Sequence, residues 1–285
     1  MSYTNETGTF QSSKDEFVLF WQKWLPKDGT PERIIVLQHG FGEHSGRYGN
    51  ILEFFAGDRT AFYALDARGH GRTEGIRGHV DQFQQYVDDL GDLIRIARKE
   101  NGGMQVFLLG HSLGGLISLQ YALEGTNQDN LHALLLSSAF LKMDMDLEKK
   151  VKKGVATLFA RFMPATTMDA NLDVTQLSHD QAVIDAYNED PLVHGKVSFQ
   201  MGVNSFALGA VLIDKAHGLK IPTYVFTGTA DKIVSPEGSY ELYEALTTQD
   251  KTLKTYEGLY HETMNEAGDD KWKVLGDLKA WVAAH

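Results

Sequence analysis

Residues 106–123 read VFLLGHSLGGLISLQYAL and place the element Gly-His-Ser-Leu-Gly (110–114) between an apolar run and a helical pattern. A serine in such a strand–turn–helix context stands exposed at a sharp turn above a sheet, and the flanking glycines let the strand and the helix approach closely. The first amides of the helix then point towards the reacting centre. We therefore predict that Ser112 is a catalytic nucleophile; the alternative is an ordinary turn built from glycine and serine.

Apolar runs and amphipathic stretches alternate on both sides of this element. Several of the runs are almost continuously apolar, which is typical of strands buried on both faces of a parallel sheet. The predicted strands are residues 16–24, 33–38, 61–66, 105–110, 131–138, 221–228 and 251–258. Helical periodicity fills the gaps between them, for example at 80–100 and 269–284. This alternation predicts a doubly wound α/β sheet.

The alternation stops between residues 140 and 210, where helical patterns and the turn-rich MPATTMDANLD occur without a convincing strand. An insertion between two core strands usually forms a lid over the carboxyl edge of the sheet, where ligands bind. We therefore predict a core made of residues 1–139 and 211–285, and a cap made of residues 140–210.

A serine hydroxyl needs a base to take its proton, and in this type of fold the chain order is serine, acid, histidine. His261 directly follows the last predicted strand. The other histidines after Ser112 begin a strand, lie in the cap, precede the acid or end the chain. Asp231 stands three residues beyond Gly228, in a loop after the preceding strand. We predict that Asp231 orients His261 as the base; taken alone, each could be a turn aspartate or a surface histidine.

Composition limits the classes of function. The 285 residues contain 27 Lys and Arg against 38 Asp and Glu, which gives a net charge of −11. This argues against general nucleic-acid binding, which needs a basic surface. Cysteine is absent, so disulfides, thiolate chemistry and cysteine metal sites are excluded. The polar start and the lack of an apolar run of ~18 residues predict a soluble, cytoplasmic protein.

Six sequence blocks together resemble the monoacylglycerol lipase and lysophospholipase branch of the α/β-hydrolases. They are HGFGEHSGRY (39–48), DARGHGRTEG (66–75), GHSLGG (110–115), YNEDPL (187–192), GTADKIV (228–234) and YEGLYHE (256–262). The resemblance implies eight strands, seven of them parallel, with a helical cap inserted after the sixth. It also implies ester hydrolysis through an acyl-enzyme with the same nucleophile, acid and base. The chain departs from the family at Thr73, where serine is common, and at Met264, where some relatives have a second histidine.

The resemblance implies further roles near the site. It implies that the backbone amides of Phe41 and Leu113 form the oxyanion hole, which agrees with the usual origin of the two donors. Glu43 and Arg47 match a polar wall near the head group; alternatively they form a structural ion pair, which we slightly favour. Tyr187 matches a head-group tyrosine and is equally well explained as a cap-core residue. Three further polar residues are expected mainly to brace their loop: Arg68, His70 and Arg72.

The expected function is a serine esterase that hydrolyses a small lipid ester, a monoacylglycerol, to fatty acid and glycerol without a metal or organic cofactor. A lysophospholipase or broad carboxylesterase on the same triad is the alternative, and a small-molecule receptor on a hydrolase scaffold is a remote one. Dehalogenases and epoxide hydrolases of this fold need aspartate in place of Ser112. An iminopeptidase would need an acidic subsite for a free amine, and none is clear. The sequence does not indicate an oligomeric state.

One stretch of the cap has an unusual charge. Residues 146–163, DLEKKVKKGVATLFARFM, carry five positive and two negative side chains within an acidic chain, and their apolar residues fall on or near one helical face. This pattern favours peripheral membrane contact, with apolar side chains in the lipid surface and lysines near anionic head groups. The alternative is a cap helix that packs on its own pocket.

Overall fold

The computed structural model describes residues 2–143 and 159–285, and its main feature is a twisted sheet of eight strands. The strands of this sheet are β1 (Tyr3–Gln11), β2 (Val18–Pro26), β3 (Arg33–Gln38), β4 (Thr60–Leu65), β5 (Val106–His111), β6 (Leu131–Ser137), β9 (Thr223–Gly228) and β10 (Lys251–Tyr256). Their spatial order is β1-β2-β4-β3-β5-β6-β9-β10. Only β2 runs against the others, because it pairs antiparallel with both β1 and β4. The predicted α/β-hydrolase sheet is therefore confirmed.

Strand β1 is missing from the sequence-based prediction. It pairs with β2 over nine residue pairs, from Tyr3 opposite Pro26 to Gln11 opposite Val18. Its sequence, YTNETGTFQ, is mostly polar, and most of its side chains are exposed because it is an edge strand. The apolar signal that reveals a buried strand is therefore weak here.

Helices cover both faces of the sheet. The described helices are α1 (Gly49–Phe54), α2 (Gln84–Glu100), α3 (Leu113–Leu123), α4 (Gln181–Glu189), α5 (Phe199–Lys215), α6 (Glu237–Ala245) and α7 (Asp270–Ala284). Ile34 and Val36 of β3 point into a cluster with α2 and α3, whereas Ile35 and Leu37 point into one with α1 and α7. This alternation explains why the central strands read as continuous apolar runs: both of their faces are core.

The insertion follows β6 as predicted, but the expectation that it contains no strand is wrong. Short strands β7 (Thr167–Asp169) and β8 (Lys196–Ser198) pair antiparallel and form a separate two-stranded sheet. Three-residue strands are too short to produce a recognisable period in the sequence. Helix α5 crosses the predicted boundary at residue 210 and packs against α3 and α6. The division into core and cap at 140 and 210 stays a prediction.

Most of the basic stretch at 146–163 lies outside the described residues. Its last part is described: Phe159, Phe162 and Met163 have 41 %, 73 % and 49 % of their surface exposed. Among the residues that the structure describes, no helix is long and apolar enough to cross a membrane.

Candidate active site

The turn between β5 and α3 holds Ser112 in a strained conformation. Its φ of 53° and ψ of −119° fall in a region that residues other than glycine rarely adopt. A Cβ on Gly110 would lie 2.4 Å from the carbonyl oxygen of Gly114, and one on Gly114 would lie 2.1 Å from that of Gln38. Gly110 is therefore required for β5 and α3 to meet at this turn, and Gly114 is required for α3 to pack against the end of β3. The predicted elbow is present, with Ser112 at its apex.

The loops after β9 and β10 bring Asp231 and His261 together. Nδ1 of His261 donates to Oδ2 of Asp231 at 2.7 Å, and both side chains are buried. The other oxygen, Oδ1, accepts from the amides of Ile233 and Val234 at 2.9 Å each, which fixes the carboxylate. The two loops can approach because residue 228 is glycine: a Cβ there would meet the carbonyl oxygen of Leu259 at 2.2 Å.

The charge around His261 favours its protonated form. Burial alone would lower the pKa of the imidazole, but the negative charge and hydrogen bond of Asp231, with Glu262 and Glu43 further away, raise that pKa above its usual value. The neighbouring His111, whose ring centroid is 4.9 Å from that of His261, has its pKa lowered to about 4 by burial and by His261. Of these two imidazoles, His261 is therefore the stronger base.

A cavity of about 470 Å³ lies over this group and contains both Ser112 and His261 in its wall. The described wall is mainly apolar, and its larger apolar members are Phe140, Met168, Val197, Phe199, Met201 and Phe206. Its polar members include Glu43, Arg47, Tyr187 and Glu262, which directly follows His261 in the chain. The cavity thus combines an apolar space with a compact polar cluster beside the predicted nucleophile.

The turn after β3 contributes Phe41 to the same wall, which also includes Leu113. The amide of Leu113 is the first of α3, where the helix offers no carbonyl partner. The turn itself is held by Glu43, whose Oε1 accepts from the amide of Gly40 at 2.7 Å and from the hydroxyl of Tyr48 at 3.0 Å. Both predicted oxyanion residues therefore line the cavity together with Ser112, and the turn that carries Phe41 is fixed by a buried carboxylate.

Arg47 forms an ion pair with Glu43 and a second one with Glu262, a residue that the sequence-based prediction missed. Nη1 of Arg47 lies 2.9 Å from Oε2 of Glu43 and 2.7 Å from Oε1 of Glu262, while Nη2 donates to Oε2 of Glu262 at 2.9 Å. The Tyr187 ring covers the guanidinium, with its centroid 4.7 Å from Cζ. Glu43 and Arg47 thus form an ion pair and also line the cavity, so the two predicted alternatives are compatible. The position of Glu262 directly after the predicted base was the available signal.

Ser45 and His44 serve as braces. The Ser45 hydroxyl donates to Oδ1 of the fully buried Asp66 at 2.5 Å and accepts from Nε2 of Gln22 at 2.7 Å. His44 donates through Nε2 to Oδ2 of Asp190 in the cap, at 2.9 Å. Neither side chain is part of the described cavity wall.

The loop after β4 is braced as predicted. Arg68 donates to the buried carboxylate of Asp89 at 2.6 Å and to Asp15 at 2.6 Å. His70 is fully buried and donates through Nδ1 to the carbonyl of Arg68. Arg72 donates its amide to Oδ2 of Asp66 at 2.8 Å.

Main-chain hydrogen bonds join the cap to two loops of the site. The amide of Glu262 donates to the carbonyl of Leu177 at 2.7 Å, on the loop that carries His261. The amide of His194 donates to the carbonyl of Gly42 at 2.9 Å, on the turn that carries Phe41. Cap residues therefore help to set the position of both loops.

The buried carboxylate of Glu266 is a further residue that the sequence did not reveal. It accepts from the amide of Tyr260 at 2.7 Å and from the amide of His179 in the cap at 2.9 Å. It thus ties the residue before His261 to the cap. Within the described ranges, no group of three or more His, Asp or Glu side chains is arranged to hold a metal ion.

Comparisons with known proteins relate the chain to a family of hydrolases in sequence and in fold. The model of the family described as serine aminopeptidase, S33 (Hydrolase_4) matches residues 29–268. The chain is 33 % identical to the monoacylglycerol lipase of Mycolicibacterium smegmatis over 94 % of its own length and 93 % of that protein's. It is also 33 % identical to the monoglyceride lipase of Rattus norvegicus, with 93 % and 86 % covered. The crystal structure of a monoacylglycerol lipase from Paleococcus ferrophilus superposes with a TM-score of 0.81 at 32 % identity, covering all of both chains.

Proposed function

The chain belongs to the serine aminopeptidase S33 family of hydrolases, in the branch that contains the monoacylglycerol lipases, and from this membership we propose that it cleaves monoacylglycerols into a fatty acid and glycerol. It is a carboxylic ester hydrolase. The proposal rests above all on the cavity, in which an apolar space and a buried polar cluster share a wall with Ser112. A monoacylglycerol has the same two parts, an acyl chain and a small uncharged head, on either side of its ester.

In the proposed reaction the hydroxyl of Ser112 attacks the ester carbonyl while Nε2 of His261 takes its proton. The hydrogen bond from Nδ1 to Asp231 keeps Nε2 free of a proton in the neutral ring and stabilises the imidazolium that forms. His261 then protonates the departing glycerol oxygen, which leaves an acyl-enzyme. Water, activated by the same imidazole, releases the fatty acid and restores the serine.

The amides of Phe41 and Leu113 are the proposed donors to the negative oxygen of each tetrahedral intermediate. Both belong to rigid main chain: the first lies on the turn held by Glu43, and the second begins α3. Donors fixed before the reaction need no reorganisation when charge develops, and losing one typically costs about 10²–10³-fold in kcat.

A hydrolysis panel with equal amounts of enzyme tests the proposed substrate. We expect monoacylglycerols of C8–C18 chains to be cleaved with a higher kcat/KM than diacylglycerols, lysophosphatidylcholine or an aminoacyl p-nitroanilide, because the polar cluster leaves room for a small uncharged head. Fatty-acid release and p-nitroaniline absorbance are the readouts. A clear preference for lysophosphatidylcholine would favour the phospholipase alternative, and failure to turn over any ester would favour the receptor.

We also propose a peripheral lipid contact at the end of the 146–163 stretch. Phe162 is 73 % exposed, and the ring of Phe159 stacks at 5.4 Å on Phe199, which lines the cavity. Co-sedimentation with anionic vesicles should decrease in a Phe159→Ser, Phe162→Ser variant, since exposed aromatic side chains gain free energy by entering the lipid surface. A Val18→Ser variant, at a side chain 50 % exposed on β2, is the control. Equal binding by all three proteins would refute this contact, and the cytoplasmic location stays a prediction.

A further inference from the structure

The guanidinium of Arg47 is already paired with two carboxylates. Three of its hydrogen bonds go to Glu43 and Glu262, at 2.7 to 2.9 Å, and the Tyr187 ring covers it. The three charged side chains are almost fully buried, with 11 %, 6 % and 5 % of Arg47, Glu43 and Glu262 exposed. Two of its five N–H donors lie outside these three bonds, but its positive charge is already more than balanced by the two carboxylates.

The net charge of this cluster is negative. One guanidinium and two carboxylates sum to −1, and burial limits the screening of that charge by water. Among the described residues of the cavity wall, the other lysine or arginine is Lys232, which is exposed. His111 adds no positive charge at neutral pH, because its pKa is lowered to about 4 by burial and by His261. A phosphate placed at this cluster would therefore face net negative charge.

Hydroxyl groups fit the same cluster well. An ionised carboxylate can accept about four hydrogen bonds. In the structure the pair of oxygens on Glu262 accepts two from Arg47 and one from Nδ2 of Asn265, at 2.8 Å. Glu262 can therefore accept one more hydrogen bond, which a hydroxyl group can donate and an ionised phosphate oxygen cannot.

We propose that Glu262, by completing the pairing of Arg47, selects an uncharged, hydroxyl-bearing head group and rejects a phosphorylated one. This inference rests on the proposed monoacylglycerol hydrolysis and adds to it the reason for discrimination against lysophospholipids. Glu262 does not touch the reacting atoms in this scheme; it determines specificity through the charge of the polar wall.

The test compares a 1-monoacylglycerol with the 1-monoacylglycerol 3-phosphate of the same chain length. In Glu262→Gln the cluster becomes neutral while the side chain keeps its size and an oxygen for Arg47. We expect the kcat/KM of the phosphate relative to that of the uncharged ester to rise about tenfold or more, mainly through KM, because one of two nearby like charges is lost. Glu257→Gln removes the same charge from an exposed position on the same loop and should leave the ratio unchanged. An unchanged ratio in folded Glu262→Gln would overturn the proposal.

A measurement on the unaltered protein keeps the proposal open to refutation if Glu262→Gln does not fold. The non-hydrolysable 1-O-dodecylglycerol and its 3-phosphate are compared as inhibitors of p-nitrophenyl butyrate hydrolysis. We expect the inhibition constant of the phosphate to be at least about tenfold higher than that of the uncharged ether. Equal or stronger inhibition by the phosphate would refute the proposal. This comparison also separates the two claims: if monoacylglycerols are not cleaved although p-nitrophenyl butyrate is, the proposed substrate fails, and head-group selection is still measured by the inhibitors.

Discussion

Ser112→Ala should lower the kcat for p-nitrophenyl esters and monoacylglycerols by about 10⁴–10⁶-fold, the range seen when a serine hydrolase loses its nucleophile. The change removes one oxygen and keeps the Cβ, so the main-chain bond from Ser112 N to the carbonyl of Ser137 remains. Steady-state hydrolysis and thermal unfolding of the purified variant are the measurements. We expect the loss of activity without a loss of the folded state.

Ser45→Ala is the matched control for this variant. Its hydroxyl bonds to Asp66 and Gln22, away from the cavity wall, so the substitution should lower the unfolding midpoint while folded molecules keep most of their turnover. The opposite outcome, an active Ser112→Ala and an inactive but folded Ser45→Ala, would show that the wrong serine has been assigned.

Asp231→Asn should lower kcat by about 10⁴-fold, as a change of tautomer does in a serine triad. The amide oxygen can still accept from the main chain of Ile233 and Val234, which leaves the amide nitrogen facing His261. A donor at that position favours the ring with its proton on Nε2, where the base must be free. Loss of the Asp231 charge also removes the largest contribution that raises the pKa of His261, so the acid limb of the kcat/KM profile should move to lower pH.

Asp190→Asn provides the control, because Asp190 receives a comparable 2.9 Å hydrogen bond from His44 outside the cavity wall. We expect a change in kcat of less than about tenfold and an unshifted acid limb, since most substitutions away from a reacting group act on stability. If Asp231→Asn kept its activity within the same limit, Asp231 would not be the acid of the triad.

The sequence predicted those parts of the molecule that have strong local signals. The central strands are buried on both faces and therefore appear in the sequence as apolar runs. The turn at Ser112 requires glycines, and these are visible in the sequence on either side of the serine. Strand β1 escaped prediction because an exposed edge strand carries polar side chains. The paired strands of the cap escaped because three residues show no period.

The contacts between residues of the site were harder to predict than the residues that belong to it. The chain order of serine, acid and histidine follows from the fold, so Ser112, Asp231 and His261 could be selected one by one. The pairing of Glu262 with Arg47 joins residues 215 positions apart in the chain, and no local pattern encodes such a contact. Glu266 is a similar case, because its partner His179 lies in the cap.

The main-chain bonds from the cap to residues 42 and 262 have a consequence for how this protein can diverge. A segment that shapes the substrate space and also positions the loops of Phe41 and His261 is not an independent module. Recombining such a segment between relatives transfers the substrate space and disturbs the catalytic geometry at the same time. A change of substrate range is therefore expected to change turnover as well, unless residues of the core change in compensation.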